Sequence, residues 1–373
     1  MSPTAWIQAA FVRGGTSKGL FFNEADLPLD PAQRDAIFCS ALGSPDAFGR
    51  QLDGMGGGIS SLSKVMVVGP SERDDADLEY TFGQVSVYEA IVDYSGNCGN
   101  LSSGVVPFAL MTGMLRADDG LRTFRLVNTN TGKLVLVRLL ISGGQAIVDG
   151  DLVIPGVSSP GAAIELVYPD PAGSRTAGLL PTGAATDTLV VDGQSVEVSL
   201  VDAAIPLVIV SAHEVGLIGN ETPAELDADL VASRLLDGVR REAAVRMGLS
   251  DSKGTAPHAV PKIAIVAAPR TSVLLDGRTL EPRGYDVLLR MISMDRAHKA
   301  VPGTGAMCIA AAARIPGSVI GRLLGKRATD SIRLGTPSGV VTAAAVTDLA
   351  TEDLREVSLF RTARVLMRGH VAA

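Results

Sequence analysis

Residues 95–110 read SGNCGNLSSGVVPFAL, and residues 300–315 read AVPGTGAMCIAAAARI. Each is a glycine-rich turn that runs into small and apolar residues with almost no charge. At helical spacing such a stretch has no polar face, so it belongs inside a protein. Around both stretches the chain is rich in short β-branched runs bounded by Gly, Pro, Asn or Asp. Examples are SKVMVVG (63–69), KLVLVRLLIS (133–142), PLVIVSA (206–212) and PKIAIVAA (261–268). That pattern reads as strands joined by turns. FVRGGTSKGLFF (11–22) and LVDAAIPLVIVS (200–211) form a second pairing, each a strand, a small-residue break and another strand. Two copies of one β-rich unit, each wrapped round a buried helix, account for both pairings. Gly and Ala dominate the matches, so two unrelated apolar helices remain the alternative at this point. Two more helices are expected. One spans 30–43, with Asp30 as N-cap, Pro31 at N1 and Cys39 as a core thiol; the other spans 222–248 with its charges outward.

A chain of 373 residues suggests two domains. Hydrophobic residues make up 46% and mean hydropathy is +0.28, yet aromatics are 4%, so the core must be built from Val, Leu, Ile and Ala. The formal charge of −7 is spread without a basic block, which argues against a nucleic-acid partner. No apolar run approaches the roughly 20 residues of a membrane span, and MSPTAWIQAAFVRGG lacks the n- and h-regions of a signal peptide. A cytoplasmic location is expected. Cys39, Cys98 and Cys308 are too far apart for a disulfide framework or a CxxC zinc site. His213, His258, His298 and His370 show no HxxxH or HxH spacing. No metal is expected.

The chemistry sits in the turns. Cys98 precedes a helix whose unpaired N–H groups favour a thiolate and bind carboxylates. It is either an acid/base or nucleophilic thiol, or a buried cysteine beside a turn. In LDGMGGGISSLSKVMVVG (52–69) three glycines and several hydroxyls precede Lys64. A lysine among apolar neighbours loses its charge readily and becomes a base, but a strand-edge lysine that snorkels to water fits too. The GxxxxGK[ST] order of a phosphate-binding loop is absent. Arg13, Gly15, Thr16, Ser17 and Lys18 offer cations and N–H donors suited to a carboxylate. His298 stands shortly before the Gly303–Gly305 turn, and RLGTPSGVV (333–341) adds another polar glycine turn.

Together these pieces resemble the PrpF family, the 2-methylaconitate cis-trans isomerases of the diaminopimelate epimerase-like superfamily. The resemblance runs through RGGTSKG, GSPD (43–46), DGMGG (53–57) with Ser63–Lys64, FGQVSV (82–87), SGNCGN, VPKIAIVA (260–267), ARIPG (313–317), PSG (337–339) and RTARVLM (361–367). It implies an α+β fold of two pseudo-symmetric β-rich domains, each round a central helix, with the site in the cleft between them. We place the domains at 1–184, carrying Lys64 and Cys98, and at 185–359, with 360–373 packing back onto the first. In the family a lysine and a cysteine flank the substrate and move protons, and by motif these are Lys64 and Cys98. Substrate binding is expected from Arg13, Gly15, Thr16, Ser17, Ser63, Asn97, Gly99, Asn100, His298, Gly303, Thr304, Gly305 and Ser338. Superfamily epimerases place a cysteine at the head of each central helix. Here the second turn reads PGTGAMC, so Pro302 takes that place and Cys308 falls two helical turns on. A two-thiol racemase is therefore disfavoured.

The reaction implied is proton abstraction γ to a carboxylate of an unsaturated di- or tricarboxylate. Rotation or double-bond migration in the dienolate and return of the proton then complete it. The N–H groups stabilise the enolate. No redox change or cofactor is called for. The main expectation is 2-methylaconitate cis-trans isomerisation; the alternatives are a 4-oxalomesaconate tautomerase or a methylitaconate or aconitate Δ-isomerase. A non-catalytic partner of a dehydratase and an amino-acid racemase are rivals of other classes. The chain departs from the family pattern at Thr336-Pro337-Ser338-Gly339, at Ser293-Met294-Asp295 and at Asp202. A monomer or homodimer is expected.

Overall fold

A computed structural model describes residues 6–94, 98–257, 260–293, 296–325, 329–348 and 353–373. The chain divides into two compact units, 1–167 with 360–373, and 168–359. The first unit contains β1 (Trp6–Gly14), β2 (Ser17–Asn23), α1 (Pro31–Leu42), β3 (Lys64–Pro70), β4 (Leu78–Val85), α2 (Gly99–Ser102) and α3 (Val105–Thr112). Strand Ala363–Ala372 pairs antiparallel with β1, β1 with β2, β2 parallel with β3, and β3 antiparallel with β4. Beyond these, β4 runs parallel to Gly120–Asn128, which pairs antiparallel with Lys133–Ser142, and that strand with Ile164–Pro169.

The second unit repeats this order. Asp187–Val191, Gln194–Asp202 and Pro206–Ser211 are antiparallel neighbours. Pro206–Ser211 is parallel to Lys262–Ala267, which is antiparallel to Val287–Ser293. Val287–Ser293 is parallel to Ser331–Thr336, followed by antiparallel Gly339–Thr347 and Leu354–Arg361. Among the described residues, each unit thus contains a run of eight longer strands with the same succession of orientations, and in each the parallel pairs are bridged by helices. Leu230–Arg246 corresponds to α1, and Gly303–Ala313 to α2 and α3.

Strand alternation explains why successive residues Leu20, Phe21 and Phe22 of β2 are all buried. Phe21 points one way, its ring centroid 5.7 Å from that of Phe108 in α3; Phe22 points the other way, 5.3 Å from Phe38 in α1. The sheet is therefore covered on both faces. Local chemistry sets α1 as expected: Asp30 accepts from the Ala32 N–H, Pro31 sits in the first turn, and Gly43 ends the helix at φ +73°. Nine successive residues of the second central helix, Gly305–Ala313, are buried.

Two expectations shift. The 222–248 helix is broken into Pro223–Ala228 and Leu230–Arg246, because Asp229 turns its carboxylate onto the Val231 and Ala232 N–H groups and caps a new helix. The first unit also ends earlier than residue 184. The segment after 168 is fastened to the second unit by the Asp170 N–H on Arg355 O, an Ala172–Ala203 bridge and the Asp202 carboxylate.

Candidate active site

Lys64 is the first residue of β3. Antiparallel register sets it opposite Gln84, with Met66 opposite Phe82 and Val68 opposite Tyr80. Alternate residues share a face, so Lys64, Gln84, Phe82 and Tyr80 lie on the same side. Lys64 Nζ donates to Gln84 Oε1 at 2.5 Å and lies 4.8 Å from the Phe82 ring centroid. The lysine is only 9% exposed. Further along the same face, Ser102 Oγ is 3.0 Å from both the Tyr80 hydroxyl and the Cys98 carbonyl. This is therefore the face on which α2 rests, and Cys98 is the residue at the head of α2, also buried. Asn130 anchors the approach to that turn, donating to the carbonyls of Phe82 and Tyr94, each at 2.8 Å. Asn97 lies outside the described residues.

The RGGTSKG hairpin fits under both groups because it lacks side chains where backbone arrives. A Cβ on Gly14 would stand 2.4 Å from Asn100 O, and one on Gly19 would stand 2.5 Å from Lys64 O and 3.1 Å from Leu101 Cδ1. Asn100 then ties the hairpin to the helix head. Its Nδ2 donates to Thr16 Oγ1 at 3.1 Å and Ser17 Oγ at 3.4 Å, and its Oδ1 accepts from Arg361 Nε at 2.9 Å. Gly15 N–H donates to Thr362 O, and Gly99 opens α2 half-buried. Arg13 donates through one nitrogen to Gly15 O, Thr362 O and Thr362 Oγ1, at 2.9–3.1 Å. Burial, with Arg364 alongside, lowers its guanidinium below the ordinary range. Ser63 is fully buried, donating to Val85 O at 2.9 Å and accepting from Gln51 Nε2 at 2.8 Å.

In the second unit the equivalent helix begins after Pro302, which supplies no side-chain cap. Gly303 and Thr304 are half-buried and Gly305 is buried. His298 is half-buried, its N–H on Met291 O; burial first, and then the charge of Lys262, lower its imidazole below 6.5. Ser338 Oγ donates to Lys299 O at 2.5 Å, tying the 336–339 turn to the segment before the helix. The departures from pattern that are described are internal. Thr336 Oγ1 donates to Gly339 O. Asp202, fully buried, accepts from Ser174 Oγ, Arg175 N, Thr176 N and Thr176 Oγ1 at 2.5–3.0 Å. Met294 and Asp295 lie outside the described residues. Cys308 is wholly buried against Val201 O, and burial pushes its thiol far up.

The family model described as PrpF protein matches residues 4–373. The chain belongs to the PrpF family. Among curated relatives it is 37% identical to 3-methylitaconate isomerase of Eubacterium barkeri, over 100% of this chain and 98% of that protein. It is 36% identical to 2-methyl-aconitate isomerase of Shewanella oneidensis, over 99% and 97%. It is also 36% identical to 4-oxalomesaconate tautomerase of Pseudomonas putida, over 98% and 95%. Among solved structures, a methylitaconate-delta-isomerase superposes with a TM-score of 0.91 at 36% identity, covering 100% of this chain and 96% of that one. A hydroxyproline epimerase from Agrobacterium vitis, at 12% identity and a TM-score of 0.51 over 98% and 92%, shares the fold. The two-domain epimerase-like architecture is thus that of this PrpF-family chain.

Three further side chains of this PrpF-family chain sit beside the expected residues. Gln84 lies within FGQVSV, Arg361 within RTARVLM and Lys262 within VPKIAIVA. The first two acquire partners, Lys64 and Asn100, only through strand register and the return of the chain's end.

Proposed function

We propose that this PrpF-family isomerase moves an allylic proton on an unsaturated tricarboxylate, with 2-methylaconitate cis-trans isomerisation as its reaction. The observation that carries the reading is the placement of Lys64 and Cys98 over one face of β3 and β4, at the head of α2. Lys64, as the neutral amine, removes the proton γ to a carboxylate. The electron pair spreads into a dienolate, the former alkene bond gains single-bond character, and rotation follows. The proton returns to carbon and the amine is regenerated. Cys98 stands at the second position from which a proton is given or taken. Arg13, Thr16, Ser17, Gly99 and Asn100 hold one end of the substrate. Within the second unit, His298, the Gly303–Gly305 N–H groups and Ser338 offer groups that suit a carboxylate. The names of the relatives support the substrate class, and near-equal identity to three of them leaves the choice within it to experiment.

The test is proton NMR in deuterated buffer with 2-methylaconitate, 3-methylitaconate and 4-oxalomesaconate. We expect cis-trans interconversion of 2-methylaconitate with deuterium entering one carbon-bound site. Turnover of 4-oxalomesaconate alone would reassign the enzyme as a tautomerase, and no exchange on any of the three would overturn the reading.

A further inference from the structure

We infer that Gln84 is a positioning residue for Lys64: its amide is locked so that its oxygen, and never its nitrogen, faces the amine. The inference rests on the reading of Lys64 as the proton-moving group. Gln84 Nε2 donates to Ser63 O at 2.8 Å and to Ser60 O at 3.1 Å. Two carbonyls therefore fix which end of the amide points where. The flipped amide would set oxygen against both carbonyls, two repulsive contacts in place of two hydrogen bonds, so the N–H end stays on the carbonyls and the oxygen faces Nζ. With the amide so held, Oε1 sits 2.5 Å from Lys64 Nζ.

An amide oxygen only accepts, so it always holds one N–H of Lys64. In the neutral amine the lone pair is consequently turned away from Gln84. The Phe82 ring, 4.8 Å from Nζ, bounds a second side and offers no acceptor stronger than its π-face. These two contacts restrict the directions open to the lone pair, which converts a flexible four-carbon stem into an aimed base. The carbonyls that lock Gln84 belong to the turn entering β3 itself, so the turn, the amide and the amine form one closed hydrogen-bonded unit.

The variants Gln84→Glu and Gln84→Met separate this role from simple support of the 60–63 turn, since both lose the two donations to carbonyls. Glu keeps an acceptor, now charged, at Lys64, whereas Met leaves none. We expect kcat on 2-methylaconitate to fall at least tenfold in both with KM within threefold. The pH at which the rate rises should move up by about one unit in Gln84→Glu and down in Gln84→Met. Competitive acetylation of Lys64 by limiting acetic anhydride, read by peptide mass spectrometry against surface lysines, should move in the same two directions, and needs no turnover. A purely structural Gln84 would give equal losses, equal falls in melting temperature and an unmoved pH profile, which would overturn the inference. Wild-type protein silent on all three substrates would sink the functional reading instead, while the acetylation profile would still decide the Gln84–Lys64 coupling.

Discussion

Replacing Gly14 by alanine inserts one methyl carbon 2.4 Å from Asn100 O, 2.9 Å from Leu101 Cα and 3.0 Å from Ser103 Oγ. Two of these atoms are backbone of the helix head, so no side-chain rotation relieves the clash. Ordinary contact begins at 3.4 Å. The head of α2 must therefore move by about 1 Å, and it carries Cys98 and Asn100 with it. Overpacking of this kind costs about 1–3 kcal/mol. A displacement of about 1 Å at reacting groups lowers rate by about a hundredfold. We expect Gly14→Ala to fold with a melting temperature lowered by roughly 5 °C and kcat reduced by about two orders of magnitude. Gly178→Ala is the control, since a Cβ there meets nothing within 4 Å and the glycine is not among those with positive φ. Circular dichroism melts and the NMR isomerisation assay on both variants decide the matter. Wild-type kcat in Gly14→Ala would refute the claim that the glycine hairpin sets the position of the helix head.

Lys64→Met and Cys98→Ser should each lose at least a hundredfold in kcat while melting within a few degrees of wild type; full deuterium exchange in either would remove that residue from the reaction. Asp202→Ala removes the acceptor of the part-buried donors of Ser174, Arg175 and Thr176 and should cost about 1–3 kcal/mol in urea unfolding; Asp202→Asn, which keeps an acceptor, should cost less. His298 has its folded-state affinity for protons depressed by burial and by Lys262, so its contribution to stability is present above 6.5 and is lost as pH falls through its lower folded value. Midpoints of urea unfolding between pH 7.5 and 5 should fall in the wild type and fall less in His298→Gln, with equal slopes excluding the assignment.

How much of this was legible in the sequence depends on whether the cause is local. The α1 helix is written in Asp30, Pro31 and Gly43, each acting on its immediate neighbours. The duplication is legible because a glycine turn before a buried helix must recur wherever the unit recurs. The break at Asp229 is not legible because periodicity continues across it, whereas an aspartate oxygen competing for two N–H groups does not register in a hydrophobic pattern. Gln84 and Arg361 were illegible as partners for a different reason. Neither has a local signature; each gains its contact from pairing across strands or from a segment at the opposite end of the chain. The limit between the units at 167/168 is illegible for the same reason, as Asp202 reaches back across sequence to hold 174–176.

The two copies of the unit have the same strand order but different residues where their central helices begin. In the first copy the helix head is Cys98, with Lys64 on the adjoining strand face. In the second it is Pro302, which has neither a titratable group nor an N–H, and the copy's only cysteine, Cys308, lies inside the helix with its thiol held protonated by burial. A mirror-related pair of thiols, as needed to exchange protons on opposite faces of a stereocentre, cannot arise from this arrangement. The proposed function instead assigns the chemistry to an amine and a thiol of the same unit, Lys64 and Cys98. Because they differ in type, that pair suits the proposed passage through a dienolate, in which giving and taking the proton are chemically distinct steps.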